Sequence, residues 1–414
     1  MLDSDHASPD HVESLLDEKP FILTGVALGN TLYAGDAIMV RTVWAFLLGL
    51  VILSVASDAS AGQFKPAVYY KLGTRQRPYE VITADFNNDG KLDLAVANWL
   101  SGTVSILLGN GDGTFQQLLT FSNPGPEQIA VGDFNEDGNL DLAVLEFGGT
   151  GHSALALYFG EGNGKFRKGP TYILGIQGSY LAVADFNGDG HLDVAETNGG
   201  EGKNPNVMVF FGTGKGTFGK PTTYQVPGLP GSIAAGDLNG DHHPDIAIAN
   251  GGFVSILLNT GNGHFSKQIR YSAGGGETPN IVIADLRNDG RQDLVVANAA
   301  DGMVVLLNKG DGTFGKPTIY VPTCHNCQAP EACVAADFNL DGNLDVACAT
   351  NSEDSYFFYG DGTGKFGPAI PINDTINFNG GYSIAAGDFN NDKAPDLAIP
   401  IQIKGKVAIM INTQ

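Results

Sequence analysis

The chain has 414 residues, with 45 acidic against 23 basic side chains, and its formal net charge at pH 7 is −22. Nucleic acids and anionic membranes would be repelled by this charge, so neither is an expected partner. Aspartates of one repeated motif, three in each of seven copies, account for 21 of the 45 acidic residues.

The N-terminal part of the chain has two segments without the repeat. Residues 1–38 are interpreted as an unstructured leader or as an overcall of the translation start. Residues 39–61 have the three parts of a signal peptide: Arg41, the apolar run 43–56 and the small residues that end the segment. This run is shorter than the roughly 20 residues that span a bilayer. We therefore predict that residues 62–414 are secreted (extracellular, periplasmic or cell surface) with no stable membrane span; a retained signal anchor is the alternative.

One acidic motif of nine residues recurs throughout the mature chain. The copies are DFNNDGKLD (85–93), DFNEDGNLD (133–141), DFNGDGHLD (185–193), DLNGDHHPD (237–245), DLRNDGRQD (285–293), DFNLDGNLD (337–345) and DFNNDKAPD (388–396). Short apolar runs rich in Val, Ile and Ala precede and follow each copy. Each motif is therefore predicted to be the turn of a β-hairpin.

Two further strands follow each hairpin. The third predicted strand ends in a glycine-rich turn with an aromatic residue, such as GNGDGTF at 109–115. The fourth carries a proline, as in GKPTTY at 219–224, which suits an outer strand because no amide donor is needed there. Four antiparallel strands per repeat without helical periodicity are typical of a propeller blade. We predict an all-β fold, a seven-bladed β-propeller with four-stranded antiparallel blades.

The two ends of the mature chain complement each other. The last repeat stops after its third strand, KVAIMINTQ at 406–414, and the missing fourth strand stands at the mature N-terminus as FKPAVYY, 64–70. We predict that the N-terminal strand completes the last blade, because this pairing removes two open sheet edges.

The motif has the chemistry of a site for a hard cation. Positions 1, 3, 5 and 9 offer side-chain oxygens, position 7 offers a main-chain carbonyl, and glycine at position 6 allows a sharp turn. Several carboxylates in a flexible loop favour Ca²⁺ over Mg²⁺. The loop opens like an EF-hand but lacks the glutamate at position 12 and the flanking helices, which excludes an EF-hand.

The predicted calcium ligands follow these positions through the seven blades. They are Asp85, Asn87, Asp89, Lys91 and Asp93; Asp133, Asn135, Asp137, Asn139 and Asp141; Asp185, Asn187, Asp189, His191 and Asp193; Asp237, Asn239, Asp241, His243 and Asp245; Asp285, Asp289 and Asp293; Asp337, Asn339, Asp341, Asn343 and Asp345; and Asp388, Asn390, Asp392, Ala394 and Asp396. The ions are predicted to hold the hairpins in place; the alternative is an ion that bridges to a ligand.

Three blades depart from the motif. His242 and Lys393 replace the position-6 glycine, which predicts weaker cation sites in the fourth and seventh blades. Arg287 replaces the position-3 asparagine, and a guanidinium cannot ligate a cation but can pair with Asp285 or Asp289. The fifth blade is therefore the one predicted to bind no ion.

The four cysteines all lie in the sixth repeat. In an exported protein they suggest two disulfides, and we consider Cys333 with Cys348 and Cys324 with Cys327, although four cysteines allow three connectivities. A zinc site at CHNC, 324–327, is the alternative.

These repeats resemble FG-GAP (VCBS) repeats, which form the seven-bladed propeller of integrin alpha chains. The resemblance covers about residues 64–414 and includes TFGKP at 217–221 and 313–317. It implies an extracellular, calcium-stabilised platform that binds proteins or glycans.

The ligand is expected on the face opposite the acidic loops. Connections between the second and third strands and between blades meet there, around the mouth of the central channel. Candidate ligand-binding residues in or beside these connections are the aromatic residues Trp99, Tyr79, Tyr180, Phe253 and Tyr382, and the arginines Arg75 and Arg77 as an anion clamp. Alternatively, the rings pack between blades and the arginines are only solvated.

No nucleophile elbow, HExxH motif or phosphate loop occurs in the sequence. We predict a monomeric, non-catalytic binding or adhesion module for a glycan or an extracellular protein. The alternative is a secreted carbohydrate-active enzyme, a polysaccharide lyase or hydrolase, with catalytic residues drawn from several blades.

Overall fold

The structure is a computed structural model that describes residues 63–116, 119–147, 152–175, 178–199, 204–323, 327, 329–351, 354–372 and 381–414. The predicted leader and signal peptide lie outside the described residues. Within the described ranges, no helix is long and apolar enough to cross a membrane.

The described residues form seven antiparallel sheets of four strands each, which confirms the predicted propeller. The first four blades, from the innermost strand outward, contain β2 (Pro78–Ala84), β3 (Asp93–Asn98), β4 (Thr103–Leu107) and β5 (Leu119–Ser122); β6 (Pro126–Gly132), β7 (Asp141–Phe147), β8 (Ser153–Gly160) and β9 (Phe166–Gly175); β10 (Gly178–Ala184), β11 (Asp193–Asn198), β12 (Asn206–Phe210) and β13 (Thr222–Gln225); and β14 (Pro230–Gly236), β15 (Asp245–Asn250), β16 (Phe253–Leu257) and β17 (Ile269–Ser272).

The remaining three blades follow the same order. They contain β18 (Asn280–Ala284), β19 (Asp293–Asn298), β20 (Gly302–Leu306) and β21 (Thr318–Tyr320); β22 (Ala332–Ala336), β23 (Asp345–Ala349), β24 (Tyr356–Phe358) and β25 (Ile370–Pro371); and β26 (Ala385–Gly387), β27 (Asp396–Ile401) and β28 (Lys406–Met410), joined by β1 (Val68–Lys71). A short 3₁₀ helix, Gln402–Lys404, connects β27 to β28.

The N-terminal strand closes the ring as predicted. β1 pairs with β28 in antiparallel register, with Val68 opposite Ile409. Beyond the strand, the backbone N–H of Lys65 donates to the carbonyl of Ile411 at 2.8 Å. The last blade is therefore built from both ends of the described chain.

Burial follows the position of each strand in its blade. Every residue of β3, a second strand, is buried, because this strand is covered by neighbouring blades on both faces. The outermost strand β5 instead alternates between half-buried and exposed residues. Pro221 stands directly before the outer strand β13, where its missing N–H leaves no ladder bond unmade.

Aromatic rings connect neighbouring blades on the face of the acidic loops. Phe86, in the first motif, meets Phe166, from the glycine-rich turn of the second blade, edge to face with centroids 5.7 Å apart. Phe115 adds a contact with Tyr70 of β1 at 5.5 Å, and the Tyr70 hydroxyl accepts the backbone N–H of Phe115. Each such pair contributes about 0.5–1.5 kcal/mol beyond its buried area, so the repeated aromatics help to hold the ring together.

Polar side chains join the innermost strands around the channel. In each case a side chain accepts a hydrogen bond from the backbone of the next blade. The pairs are Ser383 with Val81 (3.3 Å), Ser232 with Ile281 (3.3 Å), Asn280 with Cys333 (3.0 Å) and Glu80 with Ile129. These bonds fix the relative positions of the strands that begin at the channel mouth.

Candidate functional site

The acidic loops are folded around their first aspartate. In the first blade the Asp85 carboxylate accepts the backbone N–H groups of Asp89 at 3.1 Å and Gly90 at 2.7 Å. The Asn87 side-chain oxygen accepts the same Asp89 N–H at 3.0 Å. The loop therefore gathers its oxygen-bearing side chains at one end of the hairpin.

The ninth residue, Asp93, is fully buried and binds two segments of its blade. One oxygen accepts the N–H of Phe86 at 2.9 Å, and the other accepts that of Gly109 in the glycine-rich turn at 2.7 Å. Burial raises the pKa of Asp93 to about 6. The same raised pKa recurs at Asp141, Asp193, Asp245, Asp345 and Asp396.

A cation at these loops requires more than carboxylates. In the described part of the chain, no three Asp, Glu, His or Cys side chains converge closely enough to hold a metal ion by themselves. The predicted ligand set adds an asparagine oxygen and a main-chain carbonyl, both suited to Ca²⁺. A carboxylate oxygen that accepts one N–H also keeps a second lone pair for a ligand bond.

In the fifth blade, an arginine side chain lies among the aspartates of the acidic loop. The Arg287 guanidinium donates to both oxygens of Asp293, at 3.0 and 2.7 Å, and lies 3.3 Å from Asp289. Its side chain is 17% exposed. Pairing with Asp289 was predicted, whereas the Asp285 carboxylate accepts backbone N–H groups, including that of Arg287 at 3.3 Å. The main partner, Asp293, was missed because the turn brings position 9 back beside position 3.

Two non-glycine residues adopt a left-handed backbone at position 6. The φ angle is 67° at His242 and 79° at Lys393, close to the 79° of Gly90 in the first blade. A Cβ built on Gly90 would meet nothing within 4 Å. A side chain at position 6 is therefore unfavourable because of the left-handed backbone conformation, and not because it would clash with neighbouring atoms.

Replacing Lys393 with glycine is expected to raise the free energy of unfolding by about 0.5–1 kcal/mol, because the left-handed strain exceeds the added entropy of the unfolded chain. Denaturant unfolding at fixed calcium concentration measures the change. Gly90→Ala, the matched reverse substitution, is expected to lower the same free energy. A Lys393→Gly protein no more stable than the parent would contradict this account of the turn.

Two of the candidate cysteines form a disulfide in the sixth blade. Cys333 and Cys348 face each other across β22 and β23 and are joined. Cys327 is also disulfide-bonded, so its sulfur is not a free thiolate for zinc. The pairing considered for it, with Cys324, lies outside the described residues.

A cavity opens at the channel mouth, on the face where the innermost strands begin. Its volume is about 340 Å³. The described lining residues are Tyr79, Tyr180, Leu229, Gly231, Gly251, Glu277, Thr278, Pro279, Glu331 and Tyr382. Three of the five aromatic candidates therefore share one cavity, at the end of the channel opposite the acidic loops.

The tyrosines line this cavity with aromatic rings, two of which are stacked on each other. Tyr79 and Tyr382 are stacked, with centroids 5.5 Å apart and ring planes 9° from parallel. Burial raises the pKa of Tyr79 to about 12 and also raises that of Tyr180, so both remain neutral hydrogen-bonding groups. Flat, neutral rings of this kind are suited to contact with a sugar.

The other candidate ligand residues lie outside the lining. The Arg77 guanidinium is 5.5 Å from the centroid of the Trp99 ring and donates to Gln402 at 3.1 Å. Phe253 is 41% exposed beneath Arg270, 4.2 Å from its ring centroid. Arg75 is exposed, with a φ of 56°. The structure does not bring the two arginines into the cavity as an anion clamp.

Acidic residues at the channel mouth were missed from the sequence. Glu277 and Glu331 line the cavity, and burial, followed by the charge of Glu277, raises the pKa of Glu331. Burial also raises the pKa of Glu127 to about 7 and that of Glu80, inside the channel, to about 8. Spacing from the motif could have identified two of these acids. Glu127 and Glu331, like Tyr79 and Tyr382, stand six residues before the first aspartate of a motif.

The repeats match a known family. The sequence model of the FG-GAP-like repeat matches residues 85–144, 145–196, 199–248, 237–296, 285–348 and 337–399. The likeness to integrin alpha chains is general and lies in the repeat type and the seven blades. No curated protein sequence matches the chain significantly.

Solved structures share the fold at low sequence identity. An Agrocybe aegerita lectin, described as recognising non-reducing terminal N-acetylglucosamine, is 21% identical with a TM-score of 0.55, over 84% of this chain and 86% of that chain. The BP39L lectin of Burkholderia pseudomallei is 14% identical with a TM-score of 0.63, over 83% and 97%. BBS1N in complex with ARL6DN is 13% identical with a TM-score of 0.57, over 85% and 97%. These likenesses show the fold alone.

Proposed function

Because the chain belongs to the FG-GAP-like repeat family, we propose that it is a non-catalytic, carbohydrate-binding propeller. The glycan binds at the channel mouth, and the acidic loops on the opposite face hold the scaffold. Two lectins among the structures of this fold support a glycan as the ligand class.

The observation that carries the proposal is the cavity lined by Tyr79, Tyr180 and Tyr382. A concave site with aromatic walls and a few converging polar groups is the usual form of a small-ligand site. The three tyrosines stand at the starts of the first, third and seventh blades, so closure of the propeller positions them. Tyr79 and Tyr180 lie at the starts of β2 and β10, where they lose little freedom on binding, and Tyr382 stands just before β26.

Calcium and export complete the proposal. Ca²⁺ is held by the aspartates, asparagines and position-7 carbonyls named above, in every blade except the fifth. In those six blades the ion neutralises carboxylates that otherwise repel one another. In the fifth blade Arg287 supplies the positive charge. The protein acts outside the cytoplasm after loss of residues 39–61.

Substitution of Tyr382 by alanine is expected to weaken glycan binding by roughly tenfold or more, since it removes an aromatic wall and exposes the face of Tyr79. A glycan array with the mature protein identifies a ligand, and calorimetry then compares the variants. Phe253→Ala is the matched control, because that ring lies outside the described cavity lining, and we expect it to bind like the parent.

The same array separates the alternatives. Release of shortened products would replace the lectin proposal with a carbohydrate-active enzyme. Binding that survives Tyr382→Ala but is lost in Phe253→Ala would move the site away from the channel mouth. No binding to any glycan by a correctly folded protein would reject the carbohydrate proposal.

A further inference from the structure

The described lining of the channel-mouth cavity carries acidic groups and no basic group. Glu277 and Glu331 are both lining residues, and burial, followed by the charge of Glu277, raises the pKa of Glu331. Among the described residues, the Glu331 carboxylate accepts a hydrogen bond from the Asn351 side chain at 2.6 Å. Arg77 is directed instead to Gln402 and Trp99. A cationic ligand would therefore meet attraction here without competition from a lining cation.

A second, independent feature points to a donor in the ligand. Thr278 lines the cavity and is 5% exposed, and among the described residues its Oγ1 has no hydrogen-bond partner. A buried hydroxyl without a partner is costly, roughly 1–3 kcal/mol. A ligand group that donates a hydrogen bond would remove that cost, and an ammonium group has three donors.

We infer that the cavity binds a glycan bearing a free primary amine, with the ammonium held by Glu277, Glu331 and Thr278 and the sugar ring against the tyrosines. This inference rests on the proposed carbohydrate function and specifies its ligand class. Tyrosine faces also attract a cation within about 6 Å. Three tyrosines around the same cavity favour a sugar over a lysine side chain, which offers no ring to stack.

The test compares two tetrasaccharides that differ only in the amine: fully deacetylated and fully N-acetylated chitotetraose. Calorimetry with the mature protein, at a pH that keeps the sugar amines protonated and at constant ionic strength, measures the ratio of their affinities. We expect the deacetylated sugar to bind at least about tenfold more tightly, which is the size of one hydrogen bond to a charged group.

Substitutions locate the effect. E331Q and E277Q are expected to bring the affinity ratio toward one, and each thermal melt shows whether the variant is folded. E161Q removes the same charge from an exposed glycine-rich turn on the acidic-loop face and is expected to keep the parental ratio.

Each outcome decides between the two proposals. Equal or tighter binding of the N-acetylated sugar would overturn the amine inference and leave the carbohydrate function standing. Binding of neither sugar, with another uncharged glycan bound on the array, would also overturn only the amine inference. Binding of a lysine-rich peptide and of no glycan would overturn both. A preference for the amine that is unchanged in E331Q and E277Q would overturn the assignment of the site.

Discussion

Removal of calcium by a chelator is expected to lower the melting temperature of the mature protein by more than about 10 °C. The physical reason is the number of acidic loops, each with three aspartates within nine residues. An ion that binds only the folded state, and is present at about a hundred times its Kd, adds roughly 2.7 kcal/mol per site to the free energy of unfolding. Several such sites together rival the total stability of a typical domain, about 5–15 kcal/mol.

Differential scanning calorimetry at high calcium and in excess chelator measures this effect. Asp89→Ala disables one site and is expected to produce a clearly smaller shift than chelation. Glu161→Ala, in an exposed turn outside the motifs, is the control and is expected to stay within about 0.5 kcal/mol of the parent. Identical melting curves with and without chelator would refute the calcium proposal for all six blades to which it applies.

The fold could be predicted because its determinants repeat. Val, Ile and Ala in β3 and its counterparts form apolar runs too short for helices, and the motif between two runs fixes a hairpin. The terminal segments 64–70 and 406–414 then leave one consistent way to close the ring. The hairpin signals are local along the chain, and ring closure needs only the complementarity of the two terminal segments.

The candidate site was predicted only in part, because its residues meet through the ring rather than along the chain. Tyr79 and Tyr382 are separated by most of the described chain yet stack across the first and seventh blades. Aromatic residues attract notice as ligand contacts, whereas Glu277 and Glu331 resemble ordinary solvated acids before a strand. Their convergence depends on which residue of each inter-blade connection faces the channel, and composition does not reveal this.

The fifth blade allows a direct test of the proposed calcium ions, because an arginine side chain there supplies the positive charge. Arg287 donates to both oxygens of the fully buried Asp293 and to the carbonyl of Asn308 at 2.7 Å. Removing one partner from such a buried pair typically costs about 3–5 kcal/mol, because the remaining charge is left without compensation. Asparagine at this position would restore the ligand types of the first blade.

Arg287→Asn is therefore expected to be destabilised by roughly 3–5 kcal/mol relative to the parent at low calcium and to recover most of that difference at high calcium. Chemical denaturation at the two calcium concentrations measures the difference, and calorimetry is expected to count one additional bound ion. Arg291→Asn changes the same charge in the same loop, but that side chain is 46% exposed, 3.7 Å from Asp289. Its loss is expected to cost less than about 1 kcal/mol at either concentration. If the Arg287→Asn deficit were the same at both concentrations, the guanidinium would not be a substitute for a calcium ion.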